Sequence, residues 1–202
     1  IHIKEWNDTK KLINIFGIAS GMKYLHSHNI LHRNLNTKNI YVNDKTFYPK
    51  LSNFGIFDDT IIHESIVTNS NFIKHLGHII IAPEILDSGK YSKAADVYAF
   101  SFIVFEILTN LSPTFHSIDA TIAVNQYEEF QKQIDNQNLV PKCYHKLLKD
   151  CSSQNPSSRP SFELIVQFLQ NEDFFNIENV NKAEYLEYIQ MIKEMEQNSK
   201  EE

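Results

Sequence analysis

Asparagine side chains cluster near a histidine and an arginine in the first third of this 202-residue chain. The polar cluster consists of His32, Arg33, Asn34, Asn36, Asn39 and Asn53. A carboxamide does not accept a proton near neutral pH, so Asn34 is not expected to act as a general base. A carboxamide oxygen can bind a hard cation, although more weakly than a carboxylate does. These residue types therefore predict little acid–base chemistry and only weak binding of metal ions.

Local patterns predict the elements that hold this cluster. Apolar residues recur at helical spacing over residues 10–27, which predicts a buried helix with Asp8 or Thr9 as its N-cap. Two short apolar runs, at 40–42 and 48–51, flank a turn-rich tetrapeptide and predict a small β-hairpin. The polar cluster lies at the ends of these elements.

The rest of the chain reads as helical. Residues 95–109 are apolar nearly all round, which predicts a central core helix, with a pair of buried strands as the alternative. Further helices are expected at 127–136, 144–152 and 162–169. An acidic helix from 182 to 195 carries an apolar stripe, formed by Leu186, Ile189, Ile192 and Met195. This stripe is expected to pack on its own domain rather than to dock a partner.

Composition limits the possible functions. With 42% hydrophobic residues the chain can bury a sizeable core as one domain. A net charge of −6 and a pI near 5.8 disfavour nucleic acid and anionic membranes as partners. Signal segments and membrane-length apolar runs are not seen. Cys143 and Cys151 are expected to be reduced thiols of a cytoplasmic protein, and the spacing of His26 and His28 is poor for zinc.

Several motifs in a fixed order carry a resemblance to a known family. They are His32-Arg33-Asn34 with Asn39, Asn53-Phe54-Gly55, Ala82-Pro83-Glu84, Asp96, and a late Asn-Pro-x-x-Arg-Pro at 155–160. The chain resembles a protein kinase, whose patterns are H-R-D-L-x-x-x-N, D-F-G and A-P-E. The late Arg-Pro signature is similar to that of the tyrosine-kinase-like branch. The resemblance covers residues 1–170 and leaves 171–202 as a C-terminal helical tail.

The resemblance implies a fold and its cofactors. The expected fold is mainly α with a small β-hairpin, the large helical lobe of the α+β kinase fold, with the small lobe absent. The Gly-rich loop and the Val-Ala-x-Lys strand of that lobe do not occur here. Because the chain begins at Ile1, we expect an upstream segment in the same polypeptide, and the small lobe is one candidate for it. ATP and magnesium are cofactors of the family; none is expected for this chain by itself.

Site roles follow from the resemblance, residue by residue. Asn34 stands in place of the catalytic base Asp, and Asn36 in place of a Lys that steadies the phosphoryl group. Asn39 matches the loop Asn, and Asn53 replaces the main metal-binding Asp, so the resemblance implies only a weak, degenerate metal site at Asn39 and Asn53. Tyr41 matches a position where the family usually has an aliphatic residue that lies beneath the adenine ring of ATP. A tyrosine there can fill the adenine space or stack on the base.

The resemblance also implies scaffold roles. His32 and Phe54 match the large-lobe members of an apolar spine, followed by Gly55. Asp96 matches the residue that accepts hydrogen bonds from the catalytic-loop backbone. Glu84 and Arg159 match a buried ion pair.

Arg33 is the residue that pairs with an activation-segment phosphate in regulated kinases. The long connection over 56–81 offers Thr60, Thr68 and Ser70 as acceptors, and a plain bracing role for Arg33 is the alternative.

Three functions are consistent with these residues. The leading expectation is a catalytically inactive kinase-like domain, a pseudokinase and not an enzyme, acting as a binding or scaffolding module for protein partners. The alternative is the large lobe of an active ATP-dependent Ser/Thr kinase whose small lobe lies upstream. The third is a truncated product that does not fold stably.

Overall fold

A computed structural model describes residues 6–55, 81–113, 122–136 and 139–199. Within these ranges the structure has two strands, β1 (Ile40–Val42) and β2 (Pro49–Leu51), and two 3-10 helices, Thr37–Asn39 and Pro156–Ser158, beside the α-helices. The α-helices are α1 (Asp8–Ser27), α2 (Pro83–Ser88), α3 (Lys93–Thr109), α4 (Ile122–Ile134), α5 (Lys142–Cys151), α6 (Phe162–Leu169), α7 (Glu172–Phe175) and α8 (Lys182–Asn198). The expected fold is confirmed: mainly helical with a two-stranded antiparallel hairpin.

Helix α1 lies between several elements and is buried on most of its circumference. It begins at Asp8, and its N-cap is Asn7, whose side-chain oxygen accepts a hydrogen bond from the backbone N–H of Lys10. The expected caps, Asp8 and Thr9, are therefore wrong. Thr9 is buried instead, and its hydroxyl accepts a hydrogen bond from the backbone N–H of Asn181.

Helix α3 forms the centre of the core. Every residue from Ala95 to Phe105 is buried, so the all-round apolar sequence is a helix and not a pair of strands. Such a helix has no polar face to present to water, and it is stable only when other elements cover it on all sides. Helix α1, helix α5 and the Pro156–Ser158 turn pack against it.

The hairpin forms as predicted. Ile40 pairs with Leu51, and Val42 pairs with Pro49. The side-chain oxygen of Asn43 accepts hydrogen bonds from the backbone N–H groups of Lys45 and Thr46, which closes the turn. The hairpin packs on α1 through β2.

The later helices also form, with shifted ends. The prediction at 127–136 corresponds to α4, the prediction at 144–152 to α5, and the prediction at 162–169 matches α6. Helix α8 packs back on α1, as expected, but its buried face is centred on Tyr185, Tyr188 and Ile189. Leu186 and Met195, which belong to the predicted stripe, are exposed. Within the described ranges no helix is long and apolar enough to cross a membrane.

Candidate functional site

The loop before the 3-10 helix is held by a buried carboxylate. Asp96, in the first turn of α3, is fully buried. One of its oxygens accepts a hydrogen bond from the backbone N–H of His32 at 2.9 Å, and the other accepts one from the N–H of Arg33 at 3.0 Å. Arg33 has φ of 63°, a left-handed conformation that is uncommon for a residue with a Cβ. The two hydrogen bonds that Asp96 accepts stabilise this strained turn.

His26 is a member of the site that the sequence analysis missed. Its Nε2 lies 2.8 Å from the carboxylate of Asp96, and both side chains are buried. Lys93 donates from Nζ to the backbone oxygen of His26 at 2.6 Å. Along the sequence, His26 stands out only as a neighbour of His28, at a spacing that is poor for zinc. Its partner is 70 residues away, so no local pattern connects the two.

Tyr91 is a second residue that the sequence analysis did not identify. Burial, followed by the charge of Asp96 and a hydrogen bond to it, raises the pKa of Tyr91 well above its ordinary value. The phenol is therefore a neutral neighbour of Asp96 at all physiological pH values.

Carboxamides hydrogen-bond one another inside the loop. Asn36 donates from Nδ2 to the backbone oxygen of Asn34 at 2.9 Å and to its side-chain oxygen at 3.0 Å. The side-chain oxygen of Asn36 accepts from the backbone N–H of Lys38, which caps the 3-10 helix. Asn39 donates to the backbone oxygen of Asn34 at 2.7 Å. The polar atoms of this loop are thus largely used to hold its own shape.

The hairpin brings Asn39 and Asn53 together. Asn39 precedes β1 and Asn53 follows β2, so antiparallel pairing places both at the same end of the hairpin. Asn53 donates from Nδ2 to the side-chain oxygen of Asn39 at 2.9 Å. Ser52 also bonds to the backbone oxygen of Asn39, through both its N–H and its hydroxyl. Asn53 has φ of 57°, a conformation that Asn tolerates better than most residues.

The two residues that match the apolar spine, His32 and Phe54, are neighbours, but only His32 is buried. The ring centroids of His32 and Phe54 are 6.2 Å apart, and His32 is fully buried while Phe54 is 43% exposed. Burial lowers the pKa of His32, against the opposing charge of Asp96, so its ring is neutral at pH 7. Gly55, at φ of 71°, donates its N–H to the backbone oxygen of His32. Tyr41 is 60% exposed on β1.

A bidentate ion pair ties α2 to the end of the kinase-like region. Arg159 donates from both terminal nitrogens to the carboxylate of Glu84, at 2.7 and 2.8 Å. It also donates to the backbone oxygens of Ala94 and Ser153, and its guanidinium lies 4.8 Å from the ring centroid of Tyr98. The Arg159 side chain is fully buried, and these partners satisfy its charge.

Comparison with known proteins decides the family. The family model described as protein tyrosine and serine/threonine kinase matches residues 3–169. The chain belongs to the protein kinase family. It is 33% identical over 166 residues to RGS domain-containing serine/threonine-protein kinase A of Dictyostelium discoideum. It is 31% identical over 158 residues to serine/threonine/tyrosine-protein kinase HT1, and 28% identical over 188 residues to cysteine-rich receptor-like protein kinase 1, both of Arabidopsis thaliana.

These alignments cover most of this kinase chain and a small part of each relative. They span 81%, 77% and 86% of the chain, but 14%, 38% and 30% of the respective relatives. The relatives carry the names of protein kinases, and serine/threonine specificity recurs in those names. The expectation that the chain is not an enzyme is therefore wrong.

The donor set of this kinase lobe does not fit a magnesium ion. Magnesium prefers carboxylate and water oxygens in octahedral geometry. Here the two side chains at the metal positions, Asn39 and Asn53, are neutral and hydrogen-bonded to each other. Among the described ranges, no group of three or more His, Cys, Asp or Glu side chains could hold a metal ion.

Part of the expected site lies outside the described residues. The connection over 56–80, with the hydroxyl side chains of Thr60, Thr68 and Ser70, belongs to that part. The pairing of Arg33 with a phosphate on this connection stays a prediction.

Proposed function

We propose that the chain is the large lobe of an ATP-dependent Ser/Thr protein kinase of the tyrosine-kinase-like branch, with a small lobe supplied by sequence upstream. The observation that supports the proposal is the pair of hydrogen bonds that Asp96 accepts from the backbone N–H groups of His32 and Arg33. These hydrogen bonds fix the loop that, in a kinase, contacts the hydroxyl group of the substrate. The Arg-Pro pair at 159–160 supports the assignment to the branch.

The proposed enzyme is slow, because three of its chemical groups are carboxamides. Asn34 can orient a substrate hydroxyl by a hydrogen bond, but it does not take the proton. Asn36 is committed to the loop, where it bonds to Asn34 and to the N–H of Lys38. Loss of a single stabilising donor costs about 100- to 1000-fold in rate in other enzymes. We therefore expect turnover well below that of a kinase with Asp at positions 34 and 53.

Phosphate transfer from radiolabelled ATP to serine- or threonine-containing peptides tests this proposal, in protein that includes the upstream segment. We expect slow transfer by the unmodified protein and a rise of tenfold or more in Asn34→Asp combined with Asn53→Asp. Asn176→Asp adds one negative charge, where the double substitution adds two, at an exposed position outside the candidate site, and it should leave the rate unchanged. Absence of transfer in both the unmodified and the doubly substituted protein would overturn the proposal.

A second role, binding or scaffolding of protein partners, is favoured by the carboxamide hydrogen bonds. Asn53 donates to Asn39, and Asn39 donates to the backbone of Asn34, so these side chains stabilise the loop and the hairpin by their own contacts. This role does not depend on the rate of phosphoryl transfer. Thermal unfolding with ATP, with and without magnesium, distinguishes the two roles. A magnesium-dependent shift supports the kinase role, and no shift under either condition supports nucleotide-independent binding.

A further inference from the structure

Helix α8 lies beyond the region that matches the kinase family, yet it is joined to α1 at both ends. The carboxylate of Glu184 accepts a hydrogen bond from Lys10 at 2.6 Å, and Glu196 pairs with Lys23 at 2.6 Å. Lys10 and Lys23 are about 20 Å apart along α1 at the helical rise per residue. The two pairs follow the same order in both helices, so α8 runs parallel to α1 along most of its length.

Aromatic packing joins the middle of the two helices. The ring of Phe16 on α1 meets Tyr185 and Tyr188 of α8 edge-on, with centroids 6.0 and 6.2 Å away. Tyr185 is fully buried and donates its hydroxyl to the backbone oxygen of Leu169, at the end of α6. Edge-on aromatic pairs of this kind add specificity beyond the area that they bury.

Three elements meet at Gly17. A Cβ at this position of α1 would overlap the hydroxyl of Tyr188 and would lie 2.6 Å from Cγ of Pro49 on β2. Tyr188 also packs on Tyr48, in the turn of the hairpin, with ring centroids 4.5 Å apart. Helix α8 therefore contacts the hairpin directly, at the end opposite the candidate site.

The hairpin is short enough to connect this contact with the site. Strand β2 has three residues, and Asn53 follows Pro49 by four positions, about 13 Å of extended chain. At the site end, Ser52 and Asn53 hold Asn39 through three hydrogen bonds. A two-stranded hairpin is marginally stable by itself, so its geometry depends on what it packs against.

We propose that α8 is a strap that clamps the β1–β2 hairpin against α1 and thereby positions Asn39 and Asn53 at the candidate site. Tyr188 is the positioning residue, since it contacts both Phe16 and Tyr48. The strap goes beyond the proposed function, and its test needs neither ATP nor a substrate.

Hydrogen exchange of backbone amides in the full chain tests the strap. In Tyr188→Ala, we expect the amides of Asn43 and Ser52, which bond across the hairpin, to exchange at least tenfold faster. The core amides of α3 serve as the internal reference, because a general loss of stability accelerates them too. Leu186→Ala is the matched control, since it removes an exposed side chain from the same helix.

A selective increase at the hairpin in Tyr188→Ala, absent in Leu186→Ala, supports the strap. Equal acceleration of hairpin and α3 amides, or acceleration confined to α8, would overturn it. If Tyr188→Ala does not fold, Tyr48→Ala removes the same contact from the hairpin side and leaves the Phe16 packing in place. In that variant the α8 amides near Tyr188 should also exchange faster, and unchanged α8 exchange contradicts the proposal.

Discussion

At the residue scale, the site residues differ from the kinase pattern by charge and hardly by size. Asp and Asn are nearly isosteric, so Asn34 and Asn53 remove charge without changing the volume of the side chain. The difference lies in hydrogen bonding, because a carboxamide can donate. Asn53 uses this property to donate to Asn39, and Asn39 in turn donates to the backbone of Asn34. The charge that would otherwise need a cation is absent, and the carboxamides form a chain of hydrogen bonds from Asn53 to Asn39 to Asn34.

Asn53→Asp should make the stability of the chain depend on magnesium. The substitution removes the donor to Asn39 and places a carboxylate against an amide oxygen, which costs about 1 to 3 kcal/mol in the absence of metal. Magnesium should restore part of this loss. Thermal unfolding in magnesium and in EDTA measures the effect, with Asn176→Asp as the control for added charge. Equal magnesium effects on both variants would contradict the prediction.

Glu84→Gln should destabilise the fold strongly. The substitution leaves the fully buried guanidinium of Arg159 without its carboxylate, and a broken buried pair costs about 3 to 5 kcal/mol. Urea unfolding gives the change in free energy of unfolding. Lys146→Ala, which breaks the exposed pair with Asp150, should cost less than about 1 kcal/mol. Similar costs for the two variants would show that the Glu84–Arg159 pair contributes no more than a surface pair.

At the element scale, α1 organises the site from two directions. In its last turn, His26 contacts the carboxylate of Asp96. In its middle, the helix packs against strand β2 of the hairpin. Gly17 and Gly21 are four residues apart and face the same way, toward Pro49 and Leu51 of β2. Close approach of the hairpin therefore requires the small size of these residues in this helix.

Gly17→Ala and Gly21→Ala should differ in their effect on stability. Alanine raises helix propensity by about 1 kcal/mol at both positions. At Gly17 the new methyl group meets the ring of Pro49 and the hydroxyl of Tyr188, which are held in place, so we expect a net loss of about 1 to 3 kcal/mol.

At Gly21 the new methyl group meets the end of the Leu51 side chain, at 2.9 Å from Cδ1. This chain end can rotate away, so Gly21→Ala should be close to neutral. Urea unfolding of both variants provides the measurement. A Gly17→Ala variant as stable as Gly21→Ala would contradict the close packing of α1, α8 and β2.

At the scale of the whole molecule, the core carries several ionisable groups in their neutral form. Burial raises the pKa of Cys151, and it also raises the pKa of Tyr144 and Tyr185. Burial raises the pKa of the half-exposed Cys143 as well. In the unfolded chain these groups lose their protons at ordinary values, near pH 8.5 for Cys and 10 for Tyr.

Stability should therefore fall as pH rises above about 8.5. Between the unfolded and the folded pKa values the unfolded chain binds fewer protons than the folded chain, so the free energy of unfolding decreases with pH. Urea midpoints at pH 7, 8.5 and 9.5 measure this dependence. Cys151→Ala should flatten the slope between pH 8.5 and 9.5. A midpoint that is constant from pH 7 to 9.5 would contradict the prediction.

The sequence alone predicts the kinase family, the main elements and the asparagine positions of the candidate site, but not the part played by His26 and Tyr91. Local patterns predict these features: the apolar run of α3, the turn residues of the hairpin and the order of the motifs. Such patterns involve residues close together in the chain, so they can be recognised without the fold. Helix α8 was also recognised, but its buried face was assigned to aliphatic residues. Of the four predicted stripe residues, Ile189 is buried, and Tyr185 and Tyr188 complete the buried face. A tyrosine can bury its ring while its hydroxyl hydrogen-bonds, as that of Tyr185 does.

Only the tertiary structure decided which groups meet. Thr9 does not cap α1 because its hydroxyl is used by Asn181, 172 residues later, and Asn7 takes the cap. Asp96 meets His26 across 70 residues, and Arg159 meets Glu84 across 75. Such pairs depend on how helices cross in the core, and no periodicity along the chain encodes that crossing. The charge of the site could be read from its residue types, whereas the hydrogen bonds from Asn53 to Asn39 and from Asn39 to Asn34 follow from the packing of the hairpin and the loop.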